Sequence, residues 1–455
     1  MFLWSYSIAI KVDIHMYSKK RFDLFLLVAG VFLIAVFAMP ALATPQEMSE
    51  TKHIAVVFST GGLGDKSFND AAYEGMRRAE AKFDVEIDYI EPTTVAEINN
   101  ALESYSASTE PSYDLIIAIG FSSADGVNVS AIAHPEKNFV IIDSVVDLPN
   151  VASITFKEHE GSFLAGAMAG MVTETSKIAF LGGLDIPMIN RFRAGFAAGA
   201  HYVNIFVEVL VQYSPNPANP WGDFTGGKEV ANDFIEQDAD IIFAVAGGTG
   251  FGVFDAVEET SEPGIYTIGV DSNQDYLVEG KILTSMVKCV DVAVEAQIEA
   301  ITNGDWVGGV VSLGLAEDGV GITEMEFTQE EANAVWANGK TRIQYVNELK
   351  QKIISGDMVV PEYPNNLIPS TSSEASTSSE ASTSSEVYTS SEASTSSEAS
   401  TSSETYTSSE ASTNSEASTS SEVPSFDETS PGFGTAIVVI GLFVIVAVPI
   451  IRRRG

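Results

Sequence analysis

Polar and glycine-rich clusters occur at four places in this sequence, each directly after an apolar run of strand-like composition. The clusters lie at 59–70, 120–125, 247–250 and 271–274. Each one alone is typical of a tight turn before a helix, as Ser67 with Asp70 would form in a capping box. Because they come from four different strand ends, we favour a second interpretation, in which they converge on a small polar ligand.

Sequence patterns for enzymatic chemistry are missing. The glycines that begin at Gly62 read G-x-G-x-x-S and lack the third glycine of a dinucleotide-binding fingerprint. No P-loop or G-x-S-x-G elbow occurs, and no carboxylate pair stands out as a catalytic dyad. The histidines show no metal-ligand spacing; they are His15, His53, His134, His159 and His201. The sequence therefore predicts a binding protein without metal or cofactor.

Alternating strand-like and helix-like segments must position these clusters. The predicted strands are Ile54–Phe58, Val85–Ile90, Leu115–Ile119, Phe139–Ile142, Ile178–Leu181, Ile205–Val211, Ile241–Val245, Tyr266–Val270 and Ile282–Met286. The predicted helices are Phe68–Ala81, Val95–Tyr105, Ser162–Met171, Asn190–Ala200, Lys228–Ile235 and Val292–Thr302, and a long amphipathic helix over 328–356. This order predicts an α/β fold with doubly wound parallel sheets, and the strands are too many for one compact lobe.

The overall charge is strongly acidic. The chain has 62 Asp and Glu residues against 24 Lys and Arg residues, a formal net charge of −38. Such a surface repels phosphate backbones and excludes nucleic acid as a partner, so solubility in a salty medium is the favoured interpretation. Cys289 is the single cysteine, so no internal disulfide can form.

The N-terminal region has the pattern of a secretory signal. Lys19, Lys20 and Arg21 precede an apolar run from Leu24 to Met39, and an A-x-A cleavage pattern ends at Ala43. We expect a signal peptide over 1–43, the alternative being an uncleaved anchor. No cysteine lies near the cleavage site, which excludes lipid attachment to an N-terminal cysteine.

The C-terminal region predicts a tether. Residues 361–430 form a Ser/Thr/Glu-rich segment with a six-residue repeat that cannot build a core, so we expect a disordered stalk. Segment 431–455 contains a PGF tripeptide, an apolar run from Gly434 to Ile451 and three arginines. The run is long enough to span a bilayer, with the arginines cytoplasmic. The tripeptide resembles the archaeal PGF-type sorting signal, in which a lipid replaces the helix.

Seven ordered motifs give the body of the chain a family resemblance. They are GGLGDKSFNDAAYEG from Gly61, FKEHEGSFLAGAMAG (156–170), KIAFLGGLDIP (177–187), FRAGFAAGA (192–200), GGKEVA (226–231), AVAGGTGFGV (244–253) and IGVDSNQ (268–274). Over about 52–325 the chain resembles the basic membrane protein (BMP) family of ABC-transporter substrate-binding lipoproteins, which includes purine nucleoside receptors.

The resemblance implies the fold of type I periplasmic binding proteins, with two Rossmann-like lobes and a ligand cleft between them. It implies that the chain leaves the first lobe near Phe156 and returns near Met286. We therefore expect one lobe from 52–155 with 287–316, and the other from 156–286 with 317–360.

The resemblance also implies how a nucleobase is held. Phe68 would stack on one face of the base, and Trp221 on the other, with Phe224 as the alternative. Asn69 would form a hydrogen bond to the ligand. The position of Ser59 holds an aspartate in many members, so base preference is open here.

Further ligand contacts follow from the same resemblance. Asp125 would read polar edges of the base, and Asp271 with Lys288 would hold the ribose hydroxyls. Gly247 and Gly248 would line the cleft with their backbone.

Together these features predict a monomeric, extracytoplasmic substrate-binding protein of an ABC importer. It would capture a nucleoside, most simply a purine nucleoside, at the outer face of the cell membrane and deliver it to a permease in the same membrane. Alternatives are a surface sensor with the same fold, a receptor for another polar ligand such as a sugar, a nucleoside hydrolase and a structural surface-layer protein. The hydrolase would need a calcium-binding aspartate cluster near the N-terminus, which the sequence lacks.

Overall fold

The structure is a computed structural model that describes residues 51–364 and 370–371, all within a unit of the chain that ends at Ala381. The predicted signal peptide, the PGF motif and the C-terminal apolar run lie outside the described residues, as does most of the predicted stalk. Among the described residues, no helix is both long and apolar enough to cross a membrane.

The first sheet is wholly parallel. Its strands are β1 (Lys52–Val57), β2 (Val85–Ile90), β3 (Leu115–Ile119), β4 (Phe139–Ile142), β5 (Val151–Phe156) and β11 (Gly309–Leu313). They lie in the order β11-β5-β4-β3-β1-β2. Every residue of β3 and β4 is buried, because helices cover both faces of a central parallel strand.

The second sheet repeats this plan with one antiparallel edge. Its strands are β6 (Lys177–Gly182), β7 (Glu208–Tyr213), β8 (Ile241–Val245), β9 (Tyr266–Asp271), β10 (Ile282–Lys288) and β12 (Val320–Ile322). They lie in the order β12-β10-β9-β8-β6-β7, and β12 is antiparallel to β10. The chain passes between the sheets after β5, after β10 and after β11. The predicted α/β fold with parallel sheets is therefore confirmed.

Ten helices complete the described part of the chain. They are α1 (Phe68–Lys82), α2 (Val95–Ala107), α3 (Ala124–Ala133), α4 (Glu158–Val172), α5 (Pro187–Val203), α6 (Phe224–Glu236), α7 (Gly250–Glu259), α8 (Val290–Asn303), α9 (Gln329–Asn333) and α10 (Arg342–Ile354). Two short antiparallel pairings follow the second sheet, β13 (Val335–Ala337) with β14 (Lys340–Thr341) and β15 (Met358–Val359) with β16 (Ser370–Thr371).

Helices α4 and α5 touch backbone to backbone. An added Cβ at Gly166 would lie 1.9 Å from the carbonyl oxygen of Phe196, and one at Gly195 would lie 2.1 Å from that of His159. Only glycine fits at such a distance, which explains the small-residue composition of both segments. The contact also fixes Glu158, at the start of α4, beside Arg191 of α5.

The prediction of one long amphipathic helix over 328–356 is wrong. Helix α9 ends at Asn333, the β13–β14 hairpin follows, and α10 begins at Arg342. The hairpin turn contains Asn338 and Gly339, both with positive φ, which is the two-residue turn that Asn-Gly favours. Thr341 then starts α10 with a capping box to Gln344. An apolar periodicity that continues through the turn conceals this break.

Candidate ligand-binding cleft

A cavity of about 460 Å³ lies where the carboxyl ends of the two sheets face one another. Its lining includes six of the eight predicted site residues: Phe68, Asn69, Trp221, Gly247, Asp271 and Lys288. Asp125 and Gly248 are absent from the lining. Some lining residues end a strand, as Asp271 and Lys288 do, and others lie in the segments that follow the strands, as expected for doubly wound sheets.

The start of α1 is held by Asp65, so the predicted capping box of Ser67 and Asp70 is wrong. The buried Asp65 carboxylate accepts backbone N–H groups from Ser67, Asn69 and Asp70 at 2.9, 3.0 and 3.1 Å. Burial raises the pKa of Asp65, although these three hydrogen bonds act to lower it. The arrangement fixes Phe68 as the first residue of the helix, at the cavity wall.

The side chain of Ser67 is free to serve another contact. Its hydroxyl donates to Oδ2 of Asp271 at 2.7 Å, and it also lies 3.2 Å from the carbonyl oxygen of Val270. Because Ser67 follows β1 and Asp271 ends β9, this contact joins the two sheets across the edge of the cleft.

The amide of Asn69 is largely occupied within the protein. Its Oδ1 accepts from the backbone N–H and the hydroxyl of Ser59 at 3.2 and 2.9 Å. Its Nδ2 donates to Asp65 at 3.1 Å. One N–H of the amide is left to meet a ligand, so the predicted role of Asn69 is reduced to a single donated hydrogen bond.

Trp221, in the segment between β7 and α6, also lines the cavity. The six-membered ring lies against Gly183, where an added Cβ would be 2.1 Å from the ring atom Cζ3. A Cβ on Gly61, in the segment that follows β1 of the first sheet, would lie 3.5 Å from the Trp221 Cβ. Phe224, the alternative stacking residue, is 44% exposed and absent from the lining. Of the two aromatic candidates, the structure therefore brings only Trp221 to the cavity.

Lys288 lies at the base of the cavity and is almost fully buried. Its Nζ is 2.5 Å from Oδ2 of Asp143 and 3.6 Å from Oε1 of Glu158. Burial by itself lowers the pKa of Lys288, but the carboxylates of Asp143, Glu158 and Asp271 outweigh it and the pKa is raised. The lysine is therefore a permanent cation at neutral pH.

The buried acid that completes this cluster was not predicted from the sequence. Glu158 accepts from Nε of Arg191 at 2.7 Å, so the cation–carboxylate contacts continue from the cavity into the α4–α5 contact. A buried cation needs such partners, because an isolated charge in the interior is strongly unfavourable. The motif FKEHEG, quoted above for its resemblance, contains Glu158, but nothing in the motif indicates which cation it meets.

Asp271 ends β9 with a positive φ of 64°, an uncommon conformation for a residue with a side chain. Burial raises its pKa to about 6, opposed by Lys288 and by the hydrogen bond from Ser67. The turn directs the segment after β9 back toward the first sheet, where Ser272 and Gln274 contact the backbone of Ser67 and Lys66.

Asp143 is a lining residue that sequence reasoning missed. It follows β4 with a φ of 67°, close to the value at Asp271. The sequences around the two residues are I-I-D-S at 141–144 and G-V-D-S at 269–272, and this internal match is the signal that identifies Asp143. Its Oδ1 is buried and has no hydrogen-bond partner among the described residues.

The two predicted residues outside the lining have different surroundings. Asp125 is exposed in the first turn of α3, so the geometry gives no support to its predicted reading of the base. Gly248 approaches the backbone of Trp221, with an added Cβ 3.0 Å from its carbonyl oxygen. No group of acidic, His or Cys side chains that could hold a metal ion occurs among the residues that the structure describes.

Comparisons with known proteins agree with this architecture. The family described as "Bmp: ABC transporter substrate-binding protein PnrA-like" matches residues 52–363. A solved structure of an ABC transporter solute-binding protein from Aeropyrum pernix is 31% identical, with a TM-score of 0.61. The match covers 70% of this chain and 95% of that one.

Curated relatives match over the same part of the chain. The CD4+ T-cell-stimulating antigen of Listeria monocytogenes is 35% identical over 68% of this chain and 88% of the relative. The ABC transporter nucleoside-binding protein BmpA of Lactococcus lactis is 32% identical over 68% of this chain and 88% of its own length. An uncharacterized lipoprotein of Pyrococcus abyssi is 32% identical over 74% and 87%. The resemblance drawn from the seven motifs is thus confirmed, and the chain belongs to the Bmp family of ABC-transporter substrate-binding proteins.

Proposed function

We propose that the protein captures a purine nucleoside in the cleft and delivers it to an ABC permease in the same membrane. The observation that carries the proposal is that Phe68, which follows the first sheet's β1, and Trp221, which follows the second sheet's β7, line one cavity together with Asp271 and Lys288. The nucleoside-binding name of the Lactococcus relative supports the ligand class.

The cavity suits a flat, apolar ring joined to a polyhydroxylated sugar. Its volume lies within the range of about 300–1,000 Å³ that is usual for small-molecule sites. Stacking of a base on an aromatic side chain is worth about 1–3 kcal/mol, and two walls can each contribute. Asp271 and Lys288 supply an acceptor and a donor for sugar hydroxyls, and Gly247 in the lining lets the backbone approach closely.

Binding would close two lobes, 52–155 with 287–316 and 156–286 with 317–360, around the ligand. The closed pair would present a composite surface to the permease, and a monomer suffices for this role. In this proposal Asn69 donates one hydrogen bond to the base, and Asp125 on exposed α3 approaches the ligand only if closure carries it inward.

The proposal places the body outside the cell, on a C-terminal tether. The relatives from three Pyrococcus species are named uncharacterized lipoproteins. The single cysteine of this chain is Cys289, which directly follows β10, so an N-terminal lipidated cysteine cannot anchor it. The apolar run from Gly434 to Ile451, retained or replaced by a lipid after the PGF tripeptide, would hold the protein instead.

Calorimetry on the full chain in detergent tests the function. The titrants are inosine, guanosine, adenosine, uridine, ribose and a dipeptide. We expect saturable heats with the purine nucleosides and weaker binding of uridine, because a pyrimidine has a smaller stacking surface. Heat from ribose or the dipeptide alone would show that the ligand class is wrong.

A further inference from the structure

One asparagine of the chain has the sequence context of a modification site. Asn128, in helix α3, is followed by Val129 and Ser130, which is the N-x-S pattern that accepts an N-linked glycan in exported proteins. No other asparagine has serine or threonine two positions later, and this includes Asn414 inside the Ser/Thr-rich segment. The one such pattern of the chain therefore lies in the folded body.

The side chain of Asn128 is accessible to a large substituent, because it is exposed to solvent. Asn150, which packs against the end of the same helix, shows the contrast. Its Nδ2 donates to three carbonyl oxygens, those of Ala131, His134 and Lys137, at 3.1, 3.3 and 3.1 Å. An amide nitrogen held in this way has no room for a sugar, whereas the exposed amide of Asn128 has.

The surroundings of Asn128 on α3 favour a hydrophilic cover. Val129 and Ile132 are 65% and 62% exposed, and their spacing of three residues makes them neighbours on the helix surface. Ile132 also lies four residues after Asn128, on the same face. Apolar side chains that stand side by side in water are unfavourable, so a solubilising sugar at Asn128 would shield them.

We propose that Asn128 carries an N-linked glycan. The donor would be a sugar that is linked through phosphate to a membrane lipid. Nδ2 of Asn128 forms a bond to C1 of the sugar, the bond between C1 and the phosphate oxygen breaks, the phosphate leaves with the electron pair, and the amide gives up one proton. This inference rests on the proposed location of the body outside the cell and is independent of the ligand in the cleft.

The folded structure determines when the transfer can occur. Ser130 is only 5% exposed, and its carbonyl oxygen accepts the backbone N–H of His134 at 2.9 Å at the end of α3. An enzyme that reads the N-x-S pattern must reach the serine, so it must act before α3 packs onto the sheet. The glycan would leave the cavity open, since Asp125, at the start of the same helix, is already outside the lining.

Peptide mass spectrometry on the full protein, purified from the membranes of its own organism, tests the site. The wild type is compared with Asn128→Gln, Ser130→Ala and Ser130→Thr. Asn100→Gln is the matched control, because Asn100 is exposed on the neighbouring helix α2 but is followed by Ala101 and Leu102. We expect the peptide that contains Asn128 to be heavier by whole sugar residues in the wild type, Ser130→Thr and Asn100→Gln. This mass shift should be lost in Asn128→Gln and Ser130→Ala.

The outcomes separate the modification from the proposed location. Protease treatment of intact cells shows whether the body is outside. A wild-type protein that is outside the cell and unmodified at Asn128 would overturn the inference alone, whereas one that is protected inside the cell and unmodified would overturn the location as well. A mass shift that persists in Ser130→Ala would also overturn the inference, because it would not depend on the N-x-S pattern. The wild-type spectrum decides even where a variant does not fold.

Discussion

The ammonium of Lys288 lies 5.0 Å from the centre of the Phe68 ring, so the residue expected to bind the sugar and the residue expected to stack on the base contact one another. The same ammonium lies 5.2 Å from the centre of Phe156 and 5.6 Å from that of Phe192. The cation is enclosed by aromatic faces and carboxylates, which keeps it in place at the base of the cavity.

Truncation of the stacking residues should weaken nucleoside binding. We expect Phe68→Ala and Trp221→Ala each to raise the Kd for a purine nucleoside about 10- to 100-fold, because each removes one aromatic wall. Calorimetry on the full chain measures the change. Phe224→Ala is the matched control, since this exposed neighbour of Trp221 lies outside the cavity and should leave the Kd unchanged. An effect at Phe224 with none at Trp221 would reverse the assignment.

Removal of the buried cation should destabilise the fold. In Lys288→Met the carboxylate of Asp143 loses its 2.5 Å partner, and an unpaired buried charge costs about 3–5 kcal/mol of unfolding free energy. Denaturant unfolding followed by tryptophan fluorescence measures the loss. The double variant Lys288→Met/Asp143→Leu removes both charges and should recover most of the stability. Equal losses in the single and double variants would show that the ion pair is not the cause.

The raised pKa of Asp271 predicts how stability depends on pH. Burial raises the pKa from 3.8 to about 6, so the folded state binds this proton more tightly than the unfolded state does. The resulting stabilisation is fully present below pH 3.8 and is lost as the pH rises through about 6. Thermal unfolding of the unliganded protein, measured between pH 3.5 and 7, should therefore show a stability contribution from Asp271 that falls as the pH rises. The Asp271→Asn variant should lack this part of the pH dependence. If thermal stability depends on pH in the same way in the variant and the wild type, the raised pKa of Asp271 is contradicted.

The acidic surroundings of the sugar end predict discrimination against phosphorylated ligands. We expect a purine nucleoside 5′-monophosphate to bind at least about 100-fold more weakly than its nucleoside, because the phosphate meets Asp143 and Asp271 and finds both nearby cations already paired. Competition calorimetry with inosine and its monophosphate measures the ratio. Raising the salt concentration should reduce the difference, since screening weakens the repulsion. Equal affinity for the two ligands would show that the sugar does not bind beside Asp143 and Asp271.

Much of the fold follows from the sequence. The continuous apolar runs of β3 and β8 predict buried parallel strands, and both are present with the predicted bounds. Strand β5 escaped prediction because Ser153 and Thr155 interrupt its apolar pattern, although Ser153 is buried and bonded to the backbone of Val146. Strands β11 and β12 lie at the sheet edges and depend on pairing with distant parts of the chain.

The candidate site is predictable only in part. Glycine and polar residues at strand ends identify the cleft, because the topology brings those ends together. The partners of Lys288 could not be found in the same way, since Asp143 and Glu158 reach it only through the crossing of the chain between the sheets. The sequence also gives no sign that Asp65, rather than Ser67, caps α1. Side-chain pairing of this kind depends on tertiary contacts.

The most direct test of the central claim is a structure of the protein with a bound purine nucleoside. The account predicts the purine ring between Phe68 and Trp221, with the sugar toward Asp271 and Lys288. A ligand bound outside this cavity, or one whose ring contacts neither aromatic side chain, would contradict the account.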